Sequence, residues 1–248
     1  YKTRENRALI AHAFMRDVRR LGFKPASVMN LQRKHLKAVV LDWERQELAA
    51  GTIAERLSVL RWFCDALGKP GFVPSAESLG LKPESLKRTY AAQHDKSWTT
   101  NQVDPVAQIE HIRREDPWVA ASLEMQHAFG LRRKEAICGR PHRMDSGTLL
   151  LVKHGTKGGL ERTVPIRTPY QREVLERAKR LVGARQQANL VPPTRTLEQQ
   201  IERFKYMMRK YHLTKRDLGV TAHGLRAEYL NDRYEEVAGM PSPVRGGV

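Results

Sequence analysis

Cysteine is scarce in this chain of 248 residues: only Cys64 and Cys138 occur, far apart and in no C-x-x-C spacing. That excludes a disulfide framework and a cysteine-based zinc site, and it suits a reducing compartment. Long apolar runs are missing as well. None approaches the ~18 residues of a membrane-spanning helix, and no signal-peptide pattern is read at the start. The expectation is a cytoplasmic protein with no membrane partner. Internal repeats and low-complexity tracts are absent. Acidic residues are few, 27 against 44 Lys and Arg, which leaves a net charge of +17 and a pI near 10.2.

The surplus of positive charge points to a polyanionic partner, with nucleic acid first. An anionic membrane surface would call for one basic amphipathic helix with a Trp/Phe/Leu face. The basic residues are instead spread along the chain: Arg16, Arg19 and Arg20; Lys82, Lys87 and Arg88; Arg113 and Arg114; Arg132, Arg133 and Lys134; Arg203, Lys205, Arg209 and Lys210. Spread charge suits a protein that wraps its partner. The plain alternative is a soluble basic protein with no such partner. With 40% hydrophobic and 29% charged residues, the chain can bury a core, and its length is comfortable for two domains.

The first ninety residues carry helical periodicity. Ile10, Phe14, Val18 and Leu21 recur on one face and stop at Gly22; Leu36, Val39, Val40 and Trp43 mark a second helix. Thr52 and Glu55 form a T-x-x-E pattern that predicts the start of a third helix, with Ile53, Leu57, Leu60, Cys64 and Leu67 as its face and Gly68 as its stop. Residues 88–98 have no period, and 91–98 are expected to link domain 1–90 to domain 99–248. A T-x-x-Q pattern at Thr99 predicts a helix carrying Val103, Val106, Ile109 and Ile112, followed by helices over Trp118–Phe129 and "LRRKEAI". The period then changes. Thr148–Lys153 and Arg162–Ile166, rich in Leu, Val, Ile and Thr, bracket a glycine turn and predict a hairpin. Helices resume after Thr168-Pro169. The fold class expected is mainly α, an α+β chain with a helical first domain and a mixed second domain holding one small antiparallel hairpin.

Three segments of the second domain carry unusual residue choices. They are "FGLRRKEAI" with Arg132 and Glu135, the turn "HGTKGGLERTVPI" with Lys157 at its tip, and "TAHGLRAEYL" with His223 and Arg226 three residues apart on one helical face. Taken singly, each has an ordinary reading: a solvated arginine paired with a glutamate, a turn lysine, a helix-start histidine beside a surface arginine.

Taken together, in this order, they resemble the tyrosine recombinase (phage integrase) family, and more weakly its integrases of integrative and conjugative elements. "GLRRKEA" is similar to the segment of the first catalytic arginine, "KGGLERTVPI" to the lysine hairpin, and "HGLR" to the H-x-L-R segment of the histidine and second arginine. The helical first domain resembles the core-binding domain, so the likeness covers most of the chain. It implies cleavage and rejoining of DNA through a tyrosine attack on a phosphodiester, with no metal, ATP or other cofactor. The transition-state charge would then be met by fixed donors, and arginine's planar fork fits phosphate oxygens. The resemblance makes Arg132 and Arg226 that clamp, gives His223 a bond to the same phosphate or the nucleophile's proton, and gives Glu135 the orienting of Arg132. Lys157 becomes the general acid for the 5′-oxygen, on a loop that is mobile until DNA binds; Lys153 is the second choice.

One element of the pattern is missing. The family's nucleophile lies about thirty residues beyond the second arginine, and no tyrosine of this sequence matches it. Tyr229 and Tyr234 come too early and read as packing residues, so a catalytic domain truncated before its nucleophile is expected. The partners implied are double-stranded DNA at recombination sites and three further protomers in a synaptic tetramer, with a monomer expected in the absence of DNA. Two other readings stand beside this one: a DNA-binding protein that keeps the fold without cleaving, and, more weakly, a type IB topoisomerase.

Overall fold

A computed structural model describes residues 2–87 and 92–247. The chain divides into two compact units, residues 1–91 and 92–248.

In the first unit, helices α1 (Lys2–Arg20), α2 (Arg33–Arg45) and α3 (Ala50–Ala66) pack around one core, with the short α4 (Pro83–Leu86) beside α3. The apolar residues read from the sequence supply that core: Phe14, Val18, Leu36, Val39, Val40, Trp43, Ile53, Leu57, Leu60 and Cys64 are all buried. The T-x-x-E pattern does not start α3. The helix begins two residues earlier, with Ala49 as its cap. A tight turn with Glu47 at positive φ brings the chain round, so Thr52 already donates its amide to Ala49. Glu55 accepts from Asn6 of α1 instead of folding back.

The second unit is built around one helix. It comprises α5 (Pro105–Glu115), α6 (Pro117–Phe129), α7 (Arg133–Cys138), α8 (Pro141–Met144), β1 (Leu149–Val152), β2 (Arg162–Pro165), α9 (Pro169–Val182), α10 (Leu197–Lys210) and α11 (Ala222–Ala238). Helix α6 is buried on nearly every side, its Ser122, Glu124 and Gln126 included, and it packs against α5, α7, α9, α10 and α11. Ala121, Met125, Ala128 and Phe129 face a core shared with β1, β2 and α9. Val119, Ala120 and Leu123 face a second core shared with α5, α10 and α11. Strands β1 and β2 pair antiparallel, with Leu150 opposite Val164 and Val152 opposite Arg162. A lone two-stranded ribbon is marginal in water; this one is held because Leu150, Val152 and Val164 enter the α6–α9 core.

Two expectations are corrected here. Thr99 and Gln102 do not cap a helix: residues 99–101 form a 3₁₀ turn that Gln102 ends in the left-handed region. The cap of α5 is Asp104, which accepts from the amides of Val106 and Ala107 ahead of Pro105. A carboxylate immediately before the proline outcompetes a threonine five residues further back. Nor is 92–98 a linker; the rest of that stretch, residue 91 and the aperiodic 88–90 before it, lies outside the described residues. Trp98 is wholly buried. Its indole Nε1 donates to the Thr221 carbonyl at 2.8 Å and its amide to buried Glu228 at 3.1 Å. Asp95 accepts from Ser97, Thr100, Asn231 and Arg245, donors that together hold its pKa below the usual carboxylate range against the cost of burial. The segment has no period because it is neither helix nor strand, yet it is fixed by side chains more than a hundred residues away.

Replacing Trp98 with Ala should therefore cost the chain about 3–5 kcal/mol, measured by denaturant unfolding. A loss near zero would restore the linker reading. Leu160→Ala, at a position 77% exposed on the hairpin loop, should change stability little.

Candidate active site

The site begins where α6 ends. Gly130 takes a left-handed conformation, and a Cβ there would lie 2.3 Å from the Tyr229 ring, so this close turn admits only glycine. Leu131 is buried, and Arg132 caps α7. Arginine cannot accept a bond from the helix start as Ser or Thr would. The carboxylate of Glu135 does the work alone. Its Oε2 accepts the Arg132 amide at 2.7 Å, and its Oε1 accepts Arg132 Nη1 at 2.7 Å.

A second arginine, absent from the sequence-based set, reaches the same carboxylate. Arg162, the first residue of β2, donates Nη1 to Oε1 and Nη2 to Oε2, both at 2.7 Å. Glu135 is wholly buried. Burial alone would raise its pKa, but the bonds from Arg162 and from the amide and side chain of Arg132 prevail and hold it at about 2.

Arg226 comes from the other end of the unit. The first turn of α11 is pressed against residues 96–98: a Cβ on Gly224 would lie 2.4 Å from the Lys96 carbonyl and 2.9 Å from the Trp98 ring. From that turn Arg226 Nη1 donates to the carbonyl of Gly130, two residues before Arg132. Burial, then the nearby Arg132 and Arg162, lower the pKa of Arg226. His223 lies on the same helix face; partial burial, then Arg226, Lys96 and Arg132, lower its pKa from the ordinary histidine value. The imidazole is thus neutral at pH 7 and can either donate or accept. Arg132, Glu135, His223 and Arg226 lie in one cluster, with Arg162 and Lys96 beside them. Two guanidinium groups are bonded to one carboxylate and a third lies beside them. Such a surplus suits an anion with several oxygens.

Lys157 is not brought into contact with this cluster. It sits exposed in a 3₁₀ turn over Lys157–Gly159. The base of its loop is fixed, because Gly155 at positive φ lies so close to α7 that a Cβ would come 2.4 Å from the Lys134 carbonyl. Lys153 pairs with Glu161 across the hairpin at 3.4 Å, whereas Lys157 has no partner among the described residues. Tyr229 packs on Gly130, shares a hydrogen bond with Gln171, and has its pKa raised chiefly by burial; Tyr234 is exposed on α11. Among the described residues no group of three His, Cys, Asp or Glu could hold a metal ion, and no helix is long and apolar enough to cross a membrane.

Two family models match: "Integrase" over residues 92–232 and "Phage integrase, N-terminal" over residues 1–73. The chain belongs to the phage integrase family of tyrosine recombinases. The solved structures that this integrase resembles agree in fold. A lambda integrase dimer bound to a COC′ core site aligns with 96% of this chain and 81% of its own, at 16% identity and a TM-score of 0.59. A lambda integrase tetramer bound to a Holliday junction aligns over 96% of this chain and 66% of its own, at 17% identity and 0.61. The Tn1549 transposon integrase in complex with circular intermediate DNA aligns over 98% and 84%, at 16% identity and 0.59. No curated protein matches in sequence.

Sequence reasoning overlooked Arg162 because its partner lies 27 residues away, on another element. The one signal was chemical: a glutamate one turn after Arg132, on the buried side of a short helix, needs more donors than its own turn supplies.

Glu135 also sets a pH dependence. Its folded pKa lies below the ~4.3 of an unfolded glutamate, so its contribution is full above that value and is lost as pH falls toward 2. Glu135→Gln should cost about 3 kcal/mol at pH 6 and progressively less toward pH 2, read from urea unfolding at each pH. A cost independent of pH would mean that the carboxylate is not ionised in the fold.

Proposed function

We propose that this integrase is a site-specific DNA recombinase that cleaves and rejoins DNA through a 3′-phosphotyrosyl intermediate. The observation that carries this is one cluster in which buried Glu135 is bonded by Arg132 and Arg162 while Arg226, bonded to the Gly130 carbonyl, and His223 lie beside Arg132. In this reading the guanidinium forks of Arg132 and Arg226 take the non-bridging oxygens of the scissile phosphate and meet the charge that grows on them. Losing one preorganised donor of this kind slows such a step about 10²–10³-fold. Glu135 orients Arg132. His223, uncharged at pH 7, bonds the same phosphate or carries the proton of the attacking hydroxyl. Lys157, unpaired on a loop anchored at Gly155, protonates the departing 5′-oxygen once DNA is seated.

The first unit acts as the core-binding domain and the second, from residue 92, as the catalytic domain, with duplex DNA as partner and a homotetramer at synapsis; without DNA the protein is a monomer. No tyrosine of residues 1–248 is the nucleophile. Tyr229 is engaged by Gly130 and Gln171, and Tyr234 stands out on the surface of α11. The same fact favours a second reading, a DNA-binding protein that holds this fold without cleaving.

Two measurements separate the readings. Binding to duplex DNA should weaken steeply with salt, log K falling linearly with log [salt] as counterions are released; a flat response contradicts both readings. On a nicked suicide duplex, this chain should form no covalent adduct. The same chain joined to a C-terminal segment that carries a family nucleophile should form one, and Lys157→Ala in that fusion should slow cleavage by at least about 10² while leaving DNA affinity nearly unchanged. An adduct with residues 1–248 alone would make Tyr229 or Tyr234 the nucleophile. No adduct in either form would favour binding without cleavage.

A further inference from the structure

The clamp as described has an electrostatic difficulty. Arg132 is tied to a carboxylate through both its side chain and its amide. A lone arginine–glutamate pair is neutral, and a neutral pair offers a phosphate a dipole rather than a charge. Burying Glu135 completely sharpens the problem, because a carboxylate shielded from water keeps most of its field. Arg162 resolves it. Its two nitrogens meet the two oxygens of Glu135 in a bidentate fork, so the carboxylate is matched by one arginine and the charge of the other is left over. That surplus is felt at the rest of the site, since Arg162 is among the groups that press the pKa of Arg226 down. The fork has a second consequence. Because Arg162 opens β2 and Glu135 lies in α7, the same bonds tie the hairpin carrying Lys157 to the helix carrying Arg132.

We infer that Arg162 is a positioning residue of the anion site, the counter-charge that keeps Glu135 from neutralising Arg132 and so leaves the cluster positive toward a phosphate. This rests on the reading of the cluster as a phosphate site, and goes beyond it by assigning a residue that does not itself meet the phosphate.

The test uses inorganic phosphate as probe and the ring resonances of His223 as reporter, with the whole chain in solution and melting temperatures as a check on folding. Arg162→Gln should weaken phosphate binding about tenfold, because the remaining Arg132–Glu135 pair is neutral. The double variant Arg162→Gln/Glu135→Gln should regain most of that loss, since Arg132 is then no longer cancelled. Arg162→Lys keeps the charge and should stay within about threefold of the wild type, which preserves the comparison if the glutamine variant does not fold. A purely architectural role predicts the opposite order, with the double variant the weakest of all. Unchanged binding in a folded Arg162→Gln, no rescue in the double variant, or a tenfold loss in the lysine variant would each overturn the inference. A wild type whose His223 ignores phosphate would sink the phosphate reading together with it; a responsive wild type with the wrong order of variants would sink only the role of Arg162.

Discussion

One buried carboxylate organises the second unit of this integrase. Glu135 accepts four hydrogen bonds, two from Arg132 and two from Arg162. A carboxylate shielded from water is expensive unless its lone pairs are filled; filling them here draws two guanidinium groups and two chain segments to one point. Removing either arginine would leave a charged group buried without its full set of donors. The cluster is thus a structural joint and an electrostatic feature at once. In the proposed reaction those same properties let the site meet developing negative charge without reorganising.

The surrounding fold serves this joint. Helix α6 is enclosed on nearly all sides and ends at Gly130, whose conformation and contact with Tyr229 fix the direction of the chain into Arg132. Helix α11 is held by Trp98, which donates to the Thr221 carbonyl at its start and to its own Glu228, and it delivers Arg226 to the Gly130 carbonyl. Residues 120 and more apart in sequence therefore converge through buried contacts, which are less deformable than surface loops. The exposed exception is the loop of Lys157, fixed at its base and free at its tip, an arrangement suited to a group that engages only when a large ligand arrives.

Much of this was legible in the sequence, for physical reasons. Long amphipathic repeats such as Phe14–Val18 and Ile53–Leu57–Leu60–Cys64 mark helices because a buried face must recur with the helical period. The runs of Leu, Val, Ile and Thr on either side of the glycine turn marked the hairpin. Arg132, Glu135, His223 and Arg226 could be singled out because "GLRRKEA" and "HGLR", taken together and in this order, resemble the family's segments; their spacing alone is ordinary. What escaped was long in range. Trp98 looked like linker because its partners, Thr221 and Glu228, lie more than 120 residues away. Arg162 looked like one more strand charge because its partner is Glu135. The capping patterns at Thr52 and Thr99 misled for a related reason: a tight turn at Glu47 and a carboxylate at Asp104 moved the helix starts that local pattern alone would set.

The most direct test of the account is a structure of this chain bound to a duplex interrupted at the cleavage point by orthovanadate, a mimic of the pentavalent phosphate. The account predicts Arg132 and Arg226 on the equatorial oxygens, His223 within hydrogen-bond distance, and Glu135 still bridging Arg132 and Arg162 beneath them. A vanadate bound elsewhere, or one engaged by Arg162 in place of Arg132, would contradict it.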